Sequence, residues 1–478
     1  MPSQWISPAQ VTTLLGPAAL SSPAYRDLAD RLRLQIVDGR LTTGVRLPSE
    51  RALAVALGLS RTTVAAAYAR LGELGYLRAQ QGSGNYVTLP RSGRTSLPSG
   101  IGAATDEPIS LTKACSSAPP GLGSVFLRAT EQLPELLAGS GYLADGLPVL
   151  RERLAAWFTG RGLPTDAGQI IVTTGALSAL NTVLRTLVGP GDRVVMESPT
   201  YPGAIEAVRR SGARPVGYPL GPEGWAAHDL DLVLRQTAPR LTFLIPEFHN
   251  PTAATMPAAV RAEVGASVQR NRTQLVIDET LLELRLEDQP PLPPLASYVP
   301  DALTVGSSSK AYWGGLRIGW IRAPRALVPA LIETRAIDDL GSSAFEQLVV
   351  AELLAEGGSV LAEHRVRLRD QRDLLVTAVR EAFPEWEVAR PDGGLSLWAQ
   401  LPSEVSTRMA ALADRYGLVT TAGPRFFVGG GGERHLRIPY GENPTRLLLA
   451  VERLTALWRA AASGRSAGPI SMPLSLTA

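Results

Sequence analysis

The feature that most constrains this chain is a break in it. Residues 89–108 (LPRSGRTSLPSGIGAATDEP) are rich in Pro, Gly, Ser and Thr and have little apolar periodicity. That is the composition of a flexible linker, which cannot bury enough apolar surface to hold one shape. It divides the 478 residues into a small head, 1–88, and a much longer body, 109–462, with a loose tail at 463–478. Residues 1–95 hold 11 Arg and 5 acidic residues, a net +6; against the whole-chain +3 the remainder carries +3 − 6 = −3. A basic module on a mildly acidic one points to a polyanion partner for the head. Apolar residues make up 45% of the chain, enough for sizeable cores. The single cysteine, Cys115, excludes an intramolecular disulfide, and no Cys/His cluster spells a metal site. The uncharged run 169–184 is broken by Thr, Gly, Ser and Asn and is too short to span a bilayer. The first 25 residues lack the basic start of a signal peptide. The expectation is a cytoplasmic protein with no membrane partner.

Within the head, Tyr25, Leu28, Leu32 and Ile36 fall at helical spacing, and Gly39 closes the run. A second helix is predicted over 49–57 with Ser49 as N-cap, and Gly58 makes the turn. A third follows Ser60, another N-cap, and places Val64, Tyr68 and Leu71 on one face. Residues 76–79 and 86–88 read as two short strands around the loop 81–85. Three helices and a β-hairpin make a winged helix-turn-helix. Residues 46–87 (RLPSERALAVALGLSRTTVAAAYARLGELGYLRAQQGSGNYV) closely resemble the GntR-type version of that module. A helix opening at Arg61-Thr62-Thr63 would enter the major groove N-terminus first. Arg61 is placed to reach a guanine edge, while Ser60, Thr62 and Thr63 lie where the helix dipole favours phosphate. The resemblance makes Arg51 a second DNA contact and Gly82, at the wing tip, a site of close backbone approach. Ala65 stands where some relatives carry another Arg.

The body alternates short apolar strands (170–173, 193–197, 241–245, 275–278, 304–306 and 318–321) with helical stretches. This predicts α/β with a largely parallel sheet, and the residues past about 361 read as a smaller α+β lobe. One compositional bias bears on chemistry. Of 47 basic residues only Lys113 and Lys310 are lysines. Arg binds anions but does not give up its proton, so it cannot act as a carbonyl nucleophile.

Lys310 ends the sequence Ser307-Ser308-Ser309-Lys310, with Arg317 downstream, after a predicted strand. This resembles the signature of the fold-type I aminotransferases, in which the lysine forms an aldimine with pyridoxal 5′-phosphate (PLP). Four other pieces occur in that family's order: Thr174-Gly175-Ala176 at a strand-to-helix junction, Tyr201 in ESPTY, Asn250 in HNPT, and Asp278 at a strand end. The resemblance implies that Gly175, Ala176, Ser307 and Arg317 hold the cofactor phosphate. It likewise implies that Tyr201 stacks on the ring, Asn250 bonds the 3′-oxygen and Asp278 pairs with the ring nitrogen. Arg437, in HLRIP, would clamp a substrate or effector carboxylate, and Tyr142 would reach the phosphate of the partner subunit. Ala253, Thr280 and Leu177 depart from the family pattern and put complete transamination in doubt.

A GntR-type head on an aminotransferase-like body is the architecture of the MocR/GabR-like regulators. The resemblance implies a PLP-dependent transcriptional regulator, a head-to-tail homodimer on double-stranded operator DNA, sensing an amine, an amino acid or PLP itself. The alternative is an active aminotransferase that carries a DNA-binding domain.

Overall fold

Ser49 and Ser60 each accept a backbone N–H three residues on, from Ala52 at 3.2 Å and from Thr63 at 3.0 Å. Those two caps start the helices on which the head is built. In the computed structural model, which describes residues 5–16, 23–37, 40–41, 44–80, 84–88 and 108–462, the chain forms two units. One is Met1–Ala104 with Pro119–Arg128; the other is Thr105–Ala118 with Ala129–Ala478.

In the head, α1 (Pro8–Leu15), α2 (Ala24–Val37), α3 (Glu50–Leu57) and α4 (Arg61–Glu73) are followed by the antiparallel strands β1 (Leu77–Gln80) and β2 (Gly84–Val87). Gly58 takes the left-handed conformation, φ 66°, that ends α3, and the chain bends by 120° into α4, within the range of a helix-turn-helix. Val64, Tyr68 and Leu71 are buried as their spacing predicts, and the Tyr68 hydroxyl donates to Pro48 O at 3.0 Å. Two differences stand out. The helix α1, opened by a Ser7/Gln10 capping box, was not read from the sequence. Gly84 and Asn85, expected in the loop, pair with Gln80 and Ala79 in the hairpin. Gly39, Gly82 and the tail 463–478 lie outside the described residues, as does the linker up to residue 107.

The second unit is built on a seven-stranded sheet. Its strands are β4 (Ile170–Thr173), β5 (Arg193–Ser198), β6 (Arg214–Pro219), β7 (Leu241–Leu244), β8 (Gln274–Asp278), β9 (Leu303–Ser307) and β10 (Gly319–Arg322), in the order β4-β10-β9-β8-β7-β5-β6. Strands β5 to β9 run parallel, and β10 is antiparallel to both neighbours. Helices cover the sheet, so the central strand Leu241–Leu244, and even the edge strand Ile170–Thr173, are buried throughout, as near-continuous apolar runs require.

The smaller lobe packs Ser359–Ala382 and Pro444–Ala462 beside an antiparallel sheet of β11 (Glu387–Val388), β12 (Ser396–Gln400) and β14 (His435–Pro439). A further strand, β3 (Ile109–Ser110), pairs in parallel with β13 (Leu418–Val419). The first residues after the linker are thus stitched into the small lobe. No single helix among the described residues is long and apolar enough to cross a membrane.

Candidate functional site

The parallel strands β5, β7, β8 and β9 all end at one edge of the sheet, and the antiparallel β10 begins there. Ligand sites in open α/β sheets form outside that edge. Here the strand ends enclose a cavity of about 300 Å³ lined by Ala176, Tyr201, Asn250, Asp278, Ser307, Lys310 and Arg317. Seven predicted residues, from the segments at the ends of β4, β5, β7 and β8 and from the β9–β10 connection, therefore meet in one place. Lining residues that the sequence did not single out as binding groups include Cys115, Ser309, Thr280 and Leu177.

Lys310 Nζ donates to Ala114 O at 2.9 Å. Burial lowers its pKa to about 8; Cys115 and Asp278 push it up, and Arg437 and Arg317 push it down. At pH 7.5 roughly a quarter of such an amine is unprotonated, against ~0.1% for an ordinary lysine. Asp278 is 9% exposed, and its Oδ1 accepts the Thr280 N–H at 2.8 Å. Burial raises its pKa, so a cationic ring nitrogen beside it would favour the carboxylate.

Gly175 sits at φ 96° as the N-cap of Ala176–Leu187. A Cβ there would lie 2.9 Å from Arg317 Nη2, whose own bond runs to Thr174 O at 3.1 Å. A helix start, a guanidinium and hydroxyls so face one corner, the donor set of a phosphate cradle. Ser307 was expected to supply a hydroxyl. Its proton instead goes to Ile318 O at 3.1 Å, while the buried Ser309 Oγ has no partner in the chain and is the better donor.

Arg437 is fully buried. It donates to Asn250 Oδ1 at 3.0 Å and makes a short bond to Thr112 O; its Nε has no partner. Lys310 and Arg437 therefore both hold carbonyls of one strap, residues 112–114. Its continuation is tied down by His364 to Ser116 Oγ at 3.1 Å and by Arg367 to Ser117 O at 2.8 Å. Tyr142 is 70% exposed and lines no part of this cavity. Lys113, the other lysine, is exposed on the strap.

Near the cavity, Glu197 Oε1 accepts from Ile245 N at 2.8 Å and Trp225 Nε1 at 3.1 Å, and burial raises its pKa to about 7. Ala253 occupies the left-handed region at φ 58°, where the resembling motif has Gly.

In the head, Arg51, Ser60, Arg61 and Thr62 are exposed and Thr63 half-buried. Arg61 is 73% exposed and lies 3.5 Å from Glu50 Oε2, an exposed pair that costs little to break. The hydroxyls of Thr62 and Thr63 each lie 2.8 Å from Ser60 Oγ. Ser60 Oγ thus caps α4 while the residue stays exposed.

Residues 117–454 match the family model described as aminotransferase class I and II, and residues 24–87 match that of the bacterial regulatory proteins, gntR family. The chain is 32% identical over 353 residues to a 2-aminoadipate transaminase of Thermus thermophilus, spanning 69% of this chain and 87% of the relative. It is 29% identical over 426 residues to the probable rhizopine catabolism regulatory protein MocR of Rhizobium meliloti, spanning 81% and 84%. Among solved structures it resembles an alpha-aminoadipate aminotransferase from Thermus thermophilus, complexed with N-(5′-phosphopyridoxyl)-L-leucine. That match has a TM-score of 0.67 and 28% identity, and covers 74% of this chain and 93% of that one. The residues in the cavity fit the same phosphopyridoxyl chemistry: a primary amine, a buried carboxylate and a phosphate cradle.

Proposed function

Because the chain belongs to the aminotransferase class I and II family and joins to it a GntR-type DNA-binding domain, we propose that it is a transcriptional regulator whose DNA binding depends on PLP and on an amine or amino-acid effector. When bound, PLP supplies an aldehyde that condenses with primary amines and a ring that withdraws electrons. Lys310 is the amine that captures it, helped by its lowered pKa. Ser309, Arg317 and the N–H groups at Gly175–Ala176 hold the phosphate, Tyr201 covers the ring, Asn250 takes the ring oxygen and Asp278 the ring nitrogen. Arg437 receives the effector's carboxylate in a bidentate fork.

The observation that carries the regulatory reading is the strap. The two cations that would take cofactor and effector are the ones holding Thr112 O and Ala114 O, and residues 109–114 are continuous in sequence with the linker that leads to the head. A ligand that draws either cation away from its carbonyl changes what anchors the linker. It thereby binds two states unequally, as a switch requires. Head-to-tail pairing, with Tyr142 exposed for the partner's site, belongs to the same reading. So do the domain limits 1–88 and 109–462, with the sequence-reading contacts, Arg61 foremost, in the former.

The second reading is an active aminotransferase, which the identity to a transaminase favours. Steady release of keto acid from an amino donor and acceptor tests it. Sequencing the DNA retained by the purified chain, then titrating that DNA with PLP and amines present, tests the first. A PLP-regulator should change DNA affinity without sustained turnover. Equal affinity under all conditions, with turnover, would establish the second.

A further inference from the structure

At the opposite edge of the seven-stranded sheet, roughly 15–20 Å from the cofactor cavity by strand length, a second feature has no role in the chemistry above. Strands β5, β6, β7 and β8 begin there. Arg193 and Arg214 are direct register partners, and Arg240 N donates to Arg193 O at 2.9 Å. Arg272 precedes β8. All four side chains are exposed, and among the described residues none has a carboxylate partner. Of the neighbouring acids, Asp192 lines the same depression and accepts Gly189 N at 2.8 Å, and Asp231 pairs with Arg235 and Arg270.

Three of the four, Arg193, Arg240 and Arg272, border a surface depression of about 380 Å³. Two are oriented by backbone carbonyls: Arg193 Nη1 on Thr237 O at 2.9 Å and Arg240 Nε on Leu187 O at 2.9 Å. Each bond uses one N–H and leaves the rest of the fork open. Two rim residues, Ala238 at φ 41° and Arg272 at φ 51°, are held in the left-handed region, which L side chains rarely adopt. Against these three cations the lining carries one carboxylate, Asp192, and none of the three guanidinium groups is ion-paired with it.

We propose that this depression binds a phosphate group, taken by the three guanidinium forks as a charge-assisted, multidentate ligand. Free phosphate compounds and the backbone of DNA present the same group, and the experiment separates them. The PLP-loaded full-length chain and its R193Q/R240Q/R272Q variant are compared in two arms. The first is calorimetric titration with sodium pyrophosphate. The second is binding of a short DNA duplex of arbitrary sequence across a salt series. In the first, a site for free phosphates loses about tenfold or more in affinity. In the second, DNA-backbone contact makes the salt slope shallower by about two to three, close to one per lost contact. Either change supports the site and identifies its source. The visible absorbance of bound PLP serves as the fold control. If the triple variant misfolds, the single variants R240Q and R272Q replace it. R214Q lies on the same row outside the depression and should leave pyrophosphate binding unchanged. Wild-type behaviour of the variant in both arms overturns the proposal, as does an equal loss in R214Q.

Discussion

At the scale of single residues, the chemistry rests on Lys310, one of two lysines among 47 basic residues. In a chain that uses Arg almost everywhere, a retained lysine marks chemistry that guanidinium cannot do. Lys310→Ala and Lys310→Arg should both lose the visible absorbance of the PLP complex and the borohydride-fixed adduct. An adduct mapped to Lys113 would contradict the assignment. The rate of PLP capture should climb about tenfold per pH unit below pH 8 and level off above it, because only the free amine attacks and its pKa is lowered to about 8. A rate still climbing at pH 9 would mean that Lys310 is not depressed. Ala253 offers a test of strain. It sits at φ 58°, so Ala253→Gly should stabilise the body by up to ~1 kcal/mol, less the entropy that glycine adds to the unfolded chain, read as a higher urea midpoint. What the sequence did not give at this scale is the strap. The bonds from Lys310 to Ala114 and from Arg437 to Thr112 join residues far apart in the chain. They go to backbone carbonyls, which no side-chain motif announces. That the Ser307 hydroxyl is already bonded to Ile318 O is likewise visible only in the fold.

At the scale of elements, the pattern was readable wherever apolar spacing was strong. The Ser49 and Ser60 caps and the buried face of α4 came from it directly. The six predicted body strands all exist within a residue or two. β6 was missed because Arg214–Pro219 contains Pro and Gly and is largely half-buried, which blurs both apolar run and alternation. The antiparallel direction of β10 was not legible, since strand composition carries no direction. The recognition helix carries its own prediction. Arg61→Ala should cost about 1–3 kcal/mol in specific DNA binding and relax sequence preference if Arg61 forks onto a base. Arg51→Ala, if Arg51 holds phosphate, should weaken all sequences alike and make the salt slope shallower by about one. Titrations of specific and scrambled DNA at several salt concentrations separate the two. If Arg61→Ala binds both DNAs as wild type does, α4 is not the reading helix.

At the scale of the whole molecule, the break at residues 89–108 divides two chemistries that a single chain has reason to keep together only if one informs the other. The head carries the positive charge and the helix-turn-helix; the body carries the amine, the carboxylate and the phosphate cradle. The strap joins them in sequence, and two of its anchors are the site's own cations. The central claim is therefore that filling the body's pocket alters what the head does. It is tested most directly by titrating the full-length chain, and its Lys310→Ala variant, against the DNA that the wild type retains, with and without PLP and an amino-acid effector. Ligand should shift the wild type's DNA affinity by about tenfold, a coupling near 1.4 kcal/mol, and leave Lys310→Ala unmoved. Identical responses in the two proteins, or none in either, would contradict the account.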